Sequence, residues 1–482
     1  MTFAHRLISG TTQLTLSNGV VRLLSIVTMP ILTRLLSPST YGVAALVGTV
    51  ISLVSVFALA GIDMSYARTY YSVQPPNGAV IEHYCWRFAL IAALAMALLT
   101  GTVWWFSHRN SSELEEWLAV FLALGILFSV INAMVQTRAR LANRYRAMAI
   151  TLITTGILGP VTSIGIATWW RQDALALLLP LLLGYLAPAL LLGTPSIIAL
   201  AKPPSLTWNE GAALIKIGLA GIVTAPMFWL LSSSDRWFLE HYHGAEAVGV
   251  YSIGYSVAIV GMMVNNAVMS VWLPEAVREY EQDPVRAQIT LGRLMSRLVA
   301  AMALIWLVVA AAGGDIVRWL ANERFHAAAD IVPYIAGGVF FYGVLHLANA
   351  GLLLAKKLKW AALWWFAGGL VCTLLNWVLV PKFGCLGAAI TQSISFAFIS
   401  LGILMTSQAL FRIHLDSSRL AVALSIILAS GVLMTSPWHV SAPISLLSKI
   451  PIGIVISVIV AWLTAPDWCT QGIGYMRQRI FP

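Results

Sequence analysis

The stretch TTQLTLSNGVVRLLSIVTMPILT, residues 11–33, is long enough to cross a bilayer, yet Arg22 stands near its middle. Thr11, Thr15, Asn18, Arg22 and Ser25 recur at helical spacing and share one face, while the opposite face is Leu, Val and Ile. A guanidinium facing hydrocarbon costs at least a few kcal/mol, so Arg22 has to face a bundle interior or a water-filled cavity. The stretch predicts helices packed around a cavity lined by Arg22, Asn18 and Ser25. A structural arginine, paired with a polar neighbour or a carbonyl of another helix, meets the same constraint.

The rest of the chain agrees with a membrane solvent. Of 482 residues, 59% are hydrophobic and 10% charged, where a soluble domain carries about 25% charged residues. The apolar runs are about 20 residues long, the length of spanning helices, whereas barrel strands alternate over about 10. The predicted fold is an all-α polytopic membrane protein with about fourteen transmembrane helices. The spans are placed at 12–34, 41–63, 84–106, 115–137, 147–170, 173–200, 211–233, 247–272, 293–313, 328–354, 360–380, 384–410, 419–436 and 444–464.

The net charge is +10. In a membrane chain this reflects Lys and Arg collected in cytoplasmic loops rather than nucleic-acid binding. With the N-terminus inside, about two-thirds of the 29 Lys and Arg fall in cytoplasmic connections, which predicts both termini in the cytoplasm. Cys85, Cys372, Cys385 and Cys469 show no CxxC or ligand spacing, so no metal site or disulfide framework is predicted. Arg6 is not followed by a short apolar core with a small-residue cleavage site, so the first span is expected to be retained. Outer loops are too short for an extramembrane catalytic domain. The connection PEAVREYEQDPVRAQITLG, residues 274–292, reads as a short amphipathic interfacial helix.

An internal repeat is visible. Leu141-Ala142-Asn143-Arg144-Tyr145-Arg146 and Leu354-Ala355-Lys356-Lys357-Leu358-Lys359 share the pattern L-A-x-basic-x-basic, 213 residues apart. Tyr41-Gly42-Val43 and Val248-Gly249-Val250 echo one another at 207. An offset of six spans preserves orientation, which predicts two parallel-repeat six-helix lobes around a central cavity. The expected divisions are 1–205, 206–412, and an accessory pair of spans with a cytoplasmic tail over 413–482.

Other spans carry polar stripes. Ser129, Asn132 and Gln136 share a face of the fourth; Tyr342, His346 and Asn349 of the tenth; Tyr251, Tyr255, Met262 and Asn266 of the eighth, with Asn265 beside them. Lys216 lies just inside the seventh. Asn132, Gln136, Lys216, Tyr255, Asn266, His346 and Asn349 therefore join Arg22, Asn18 and Ser25 as candidate cavity residues. Asn, Gln and His also glue helices together by hydrogen bonds, which is the structural alternative for each of them. Acidic residues in the spans look scarce: Asp63 and Asp235 sit at span ends. There is no phosphate-cradling glycine loop, HExxH or serine elbow, so neither a cofactor nor nucleotide hydrolysis is expected.

Thr33-Arg34-Leu35-Leu36-Ser37-Pro38-Ser39-Thr40-Tyr41-Gly42 resembles the T-R-x-L-x-P-x-x-Y-G signature of polysaccharide flippases, the Wzx-type O-antigen and exopolysaccharide translocases of the larger group that includes multidrug exporters. Ser234-Asp235-Arg236-Trp237 with Val248-Gly249-Val250-Tyr251-Ser252 is similar to that family's second-half D-R-x…V-G-x-Y-S segment, and Pro381-Lys382-Phe383-Gly384-Cys385-Leu386-Gly387-Ala388-Ala389 to its P-x-x-G-x-x-G-A-A segment. Arg34, Pro38, Tyr41, Gly42, Asp235, Arg236, Gly249, Gly384 and Gly387 stand at the motif positions as helix-end and packing residues.

The resemblance implies alternating access to undecaprenyl-pyrophosphate-linked oligosaccharide, moved from the inner to the outer leaflet of a bacterial inner membrane for O-antigen, capsule or exopolysaccharide synthesis. It implies a transporter, not an enzyme, with membrane lipids, a polysaccharide polymerase and a chain-length regulator as partners. The coupling ion, H+ or Na+, stays open. Arg22 suits a pyrophosphate, because a guanidinium offers paired donors and stays charged when desolvated. Two other readings remain. An ion-coupled small-molecule exporter of the same fold would want a carboxylate within the membrane. A polymerase or membrane glycosyltransferase would want a large outer loop.

Overall fold

The computed structural model describes residues 3–71, 78–107, 113–195, 207–435 and 442–464. The expected tail beyond 464 and the side chains of Thr11 and Thr15 lie outside the described residues. Helix starts follow local chemistry. After α1 (Phe3–Leu35), Ser37 accepts from the Thr40 N–H at 3.2 Å and Pro38 opens α2 (Pro38–Leu59), where its missing N–H leaves no bond unmade. The short α3 (Ile62–Thr69) precedes α4 (Gly78–Ser107), α5 (Glu113–Leu141), α6 (Tyr145–Trp169) and α7 (Leu175–Leu192). The tight link before α7 is held by an Arg171–Asp173 ion pair at 2.8 Å and by the Leu175 N–H donating to Asp173 at 3.0 Å. Thr207 and Glu210 form a capping box at the start of α8 (Trp208–Ser233).

α9 (Asp235–Ala258), α10 (Gly261–Gln282), α11 (Pro284–Leu320), a 3-10 turn (Glu323–Ala329), α12 (Val332–Leu354), α13 (Lys359–Leu410), α14 (Ser417–Thr435) and α15 (Ala442–Thr464) complete the order. The stretch expected as an interfacial helix is instead split between two long ones. Asp283 accepts from the Val285 and Arg286 N–H groups at 2.9 and 3.1 Å, and Pro284 follows it, so a new helix begins there.

Among the described residues eleven helices are long and apolar enough to cross a membrane, and a twelfth crossing is a bent pair that includes α10. Two of these carry an internal break, and one of the breaks is a reversal. The 52 residues of α13 would extend about 78 Å as one helix, far beyond the roughly 30 Å of a hydrocarbon core. Gly384 breaks it with φ 53° and ψ −130°, a conformation open to glycine. Beyond the break the halves pack antiparallel: a Cβ on Gly387 would collide with the Leu379 carbonyl, and Trp364 donates to Thr406 at 2.9 Å. At Gly244, φ 77°, the chain again leaves helical geometry, at a break inside α9. Before it, α8 runs antiparallel to α2: Ser65 just past α2 donates to the Leu214 carbonyl at 2.6 Å, and Trp237 donates to Thr49 at 3.0 Å. After it, α10 runs alongside α12, with Asn265 donating to the Val339 carbonyl at 2.7 Å and Trp272 to that of Leu347 at 3.2 Å. With the Gly384 reversal counted as well, the number of crossings among the described residues is roughly consistent with the about fourteen that the apolar runs predict.

The fold is all-α and polytopic, and large side chains such as Leu190, Met405 and Val432 are more than 70% exposed on it. That surface suits lipid, not water. The chain divides into two compact units, Met1–Gly249 and Val250–Pro482. In the first, Val47 and Ile51 of α2 pack with Leu118, Leu122 and Ile126 of α5, while α1 lies along α6. In the second, Ala300, Ala303, Leu307 and Ala311 of α11 pack with Ala423 and Ile427 of α14 and with Ile456 and Val460 of α15. The C-terminal helix pair is thereby seated on α11.

The repeat seen in sequence recurs as backbone geometry. Asn143 and Lys356, 213 positions apart, are both left-handed, at φ 54° and 56°. The same three bonds close each helix end: Ala142 to Arg138, Asn143 to Arg140 and Arg144 to Ala139 match Ala355 to Gly351, Lys356 to Leu353 and Lys357 to Leu352. The weaker echo is a reciprocal contact. A Cβ on Gly42 would collide with the Ala245 carbonyl, and one on Gly249 with the Pro38 carbonyl. Pro38 and Gly42 are 207 positions from Ala245 and Gly249, so each glycine meets its partner's counterpart.

Candidate functional site

α1, α5, α6 and α7 enclose a cavity of about 520 Å³ inside the first unit. Asn18 and Arg22 face it from α1, Asn132 and Gln136 from α5, Thr151 and Thr155 from α6, and Tyr185 from α7. The helical spacing of the polar positions is what turns them to one side of otherwise apolar helices. Gln136 donates to the Asn132 carbonyl oxygen at 3.1 Å, one turn away, which fixes both amides. Thr151 and Thr155 donate back to carbonyls of their own helix. Pro180 and Pro188 also line the space. Pro188 has no N–H to donate to the carbonyl of Gly184, a residue that also borders the cavity.

Arg22 is exposed to this space and makes no hydrogen bond or ion pair with the described residues. It is a permanently charged group with five donors, in a membrane segment, at a cavity otherwise lined by amides, hydroxyls and apolar side chains. The paired-arginine alternative finds no partner among the described residues. Such a site is chemically built to hold an anion.

The second unit has its own polar cavity, about 420 Å³, between α10 and α12. Asn265, Asn266, Tyr342, His346 and Asn349 line it. The Tyr342 and His346 rings meet edge to face at 4.4 Å. The Asn349 Oδ1 is buried with no hydrogen-bond partner among the described residues. Hydroxyl, imidazole and amides here offer hydrogen bonds without a fixed charge, and the orphaned oxygen calls for a donor.

The sequence-derived candidates thus fall into three sets. Asn18, Arg22, Asn132 and Gln136 meet in the first cavity; Asn266, His346 and Asn349 meet in the second. Three line neither. Ser25 donates back to the Val21 carbonyl at 3.0 Å, Lys216 is exposed on α8, and Tyr255 lies 6.2 Å from the Tyr251 ring. Tyr185, Thr151 and Thr155 were missed, since Tyr185 is the one polar side chain on its apolar helix and the threonines sit in a span with no obvious stripe.

The motif residues hold helices rather than face either cavity. Asp235 and Arg236 are buried, with Arg236 donating to the Ser232 carbonyl at 3.1 Å and to Asp235 at 3.4 Å. Tyr41 packs with Leu32, Leu36 and Ala167. Arg34 is exposed in the last turn of α1, where its charge complements the helix C-terminus. One acidic group escaped the sequence reading: Asp315, in α11, is buried and paired with Lys449 of α15 at 2.7 Å.

A family model described as polysaccharide biosynthesis protein matches residues 31–329. No curated protein matches the sequence. Among solved structures, the lipid II flippase MurJ in an inward closed conformation superposes with a TM-score of 0.68 at 13% identity, covering 95% of this chain and 99% of that one. A single-residue mutant of the Vibrio cholerae MATE transporter VcmN gives 0.54 at 11% identity over 84% of this chain and 96% of the other. A MATE transporter in complex with MaD5 gives 0.55 at 12% identity over 87% and 96%. At these identities the likeness is one of fold.

Proposed function

The chain belongs to the polysaccharide biosynthesis protein family, and from that premise we propose that it is a flippase for a saccharide linked through pyrophosphate to a polyprenyl lipid. The observation that carries this reading is Arg22, a guanidinium with no partner among the described residues, in a polar cavity within the membrane. A pyrophosphate is the part of such a substrate that cannot enter hydrocarbon unaided, and a guanidinium offers it two parallel donors without losing its charge. The uncharged hydrogen-bonding cavity of the second unit is compatible with a hydroxyl-rich glycan. The family and the MurJ-like fold support a transporter rather than an enzyme.

In this reading the substrate is an undecaprenyl-pyrophosphate oligosaccharide. It moves by alternating access from the inner to the outer leaflet of a bacterial cytoplasmic membrane, and both termini of the protein are cytoplasmic. The two repeats, 1–205 and 206–412, act as lobes, with 413–482 accessory. The glycan goes to a polymerase and its chain-length regulator. Loss of the protein is expected to accumulate lipid-linked units on the inner leaflet and to remove surface polysaccharide. Intact surface glycan in a strain with no second flippase sinks the proposal.

The exporter reading keeps one specific observation: Asp315 is a carboxylate within a spanning helix, as ion-coupled export requires. It is separated by the same strain. A small-molecule exporter would change drug accumulation and leave the glycan unaltered.

A further inference from the structure

The buried pair Asp315–Lys449 is unused by the substrate reading and lies outside both cavities described above. The two groups are 8% and 7% exposed, 2.7 Å apart, and belong to helices separated by 134 positions in sequence. Ser445 donates to the same carboxylate oxygen, Oδ2, at 2.9 Å, and Lys449 also donates to the Ala311 carbonyl at 3.1 Å. A third cavity, about 480 Å³, reaches Asp315 between α11, α12, α14 and α15. It is large enough for on the order of ten waters. At its rim Arg318 pairs with Asp330 at 2.6 Å, and both are open to the surface, at 42% and 69%.

We infer that Asp315 is a proton-binding site whose occupancy decides whether α15 stays docked on α11. The charge arithmetic is local. Docked, the carboxylate and ammonium neutralise each other in a setting where either alone is heavily penalised. When α15 leaves, Lys449 goes with it, and the carboxylate is stable there only by taking a proton. Conversely, a proton arriving through the cavity forms an O–H bond on Asp315, changes the pair from neutral to +1, and removes the ionic part of the attraction that holds α15, leaving its apolar contacts with α11. Lys449 keeps its own proton throughout. The ligand is a proton, not a metal cation, because the cation position beside Oδ2 and the Ala311 carbonyl is already filled by the ammonium.

The other charged or titratable groups facing the site, among the described residues, are Arg318 of α11, Asp330 before α12 and Tyr334 of α12. α14 contributes Gly431, Val432 and Thr435, none of which titrates. Arg318 and Asp330 satisfy each other at the surface, which leaves Asp315 as the buried acid. This inference does not depend on what the protein transports.

The test measures the α11–α15 distance. Val308 and Ile454 are exposed on these antiparallel helices at about the same level, 52% and 59%. Spin labels at Val308→Cys and Ile454→Cys, in purified full-length protein lacking its native cysteines, are read by pulsed electron resonance from pH 8 to pH 5. The separated population is expected to rise severalfold as pH falls. Asp315→Asn is expected to hold the separated population at every pH, and Asp330→Asn to behave like wild type. If Asp315→Asn fails to accumulate, Asp315→Asn with Lys449→Gln keeps a neutral hydrogen-bonded pair and should likewise lose the pH response. A distance unchanged by pH, a response that persists without the Asp315 carboxyl or vanishes in Asp330→Asn, or separation driven by Na+ at fixed pH overturns the inference.

Discussion

Arg22 and Asn349 make opposite demands at the residue scale. Arg22 is a charge with no counterpart among the described residues, so its removal should leave folding intact and strip the site of anion affinity. One charge-assisted contact is worth about 1.5–3 kcal/mol, roughly tenfold to hundredfold in affinity. Arg22→Gln is therefore expected to reach normal membrane abundance and to lose most glycan export, while Arg22→Lys retains a part, as a point charge without the planar fork. Full export by Arg22→Gln at normal abundance would leave the arginine as packing only. Asn349 carries a buried acceptor that nothing among the described residues satisfies. Replacing such a group by an apolar one of similar size relieves a penalty of about 1–3 kcal/mol. Asn349→Leu is thus expected to raise the unfolding temperature of the detergent-solubilised protein while lowering export. Lower stability in Asn349→Leu would mean that the oxygen is satisfied in the native protein.

At the element scale the motif glycines earn their places by geometry. Gly384 turns a 52-residue helix back on itself at φ 53°, and a side chain there is strained by about 1–3 kcal/mol. Gly384→Ala should reduce folded protein severalfold in membranes, measured by fluorescence-detected size exclusion, with activity per folded molecule unchanged. Gly42 faces backbone rather than a mobile side chain, so Gly42→Leu should be worse, since the Ala245 carbonyl cannot step aside. These elements were legible because hydrophobic run length, proline and glycine leave marks in a single sequence. The repeat was legible from the leucine, alanine and basic residues that surround each left-handed helix end, while the left-handed positions themselves, Asn143 and Lys356, differ in residue type. The first cavity was half legible, since Asn18, Arg22, Asn132 and Gln136 interrupt apolar helices at helical spacing. Asp315–Lys449 was not, because the partners are 134 positions apart and each, read alone, looks like a residue near a span end. The interfacial helix expected over 274–292 failed for want of reading Asp283-Pro284 as a cap followed by a first-turn proline.

At the scale of the whole molecule, parity is the sharpest constraint. Each added or lost crossing inverts everything downstream, so whether the chain turns back at each of the two glycine breaks, Gly244 and Gly384, decides on which side the later connections lie. With both counted, the matching basic helix ends at Arg144 and Lys357 fall six crossings apart and on the same side, as positive loop charge requires. Without a reversal at Gly384 the connections at Lys357 and Arg412 would disagree in side, and without one at Gly244 those at Arg144 and Lys357 would, although all are basic. Cysteine accessibility makes the distinction. Single cysteines at Asn143, Lys356 and Arg412 are expected to react with a permeant maleimide and to be protected from an impermeant one in intact cells. A cysteine at Asp330, in the connection between α11 and α12, is expected to react with both. Protection at Asp330, or labelling of Arg412 by the impermeant reagent, would mean that one of the two glycine breaks is a bend within a single crossing, and the fourteen-crossing parallel repeat would fall with it.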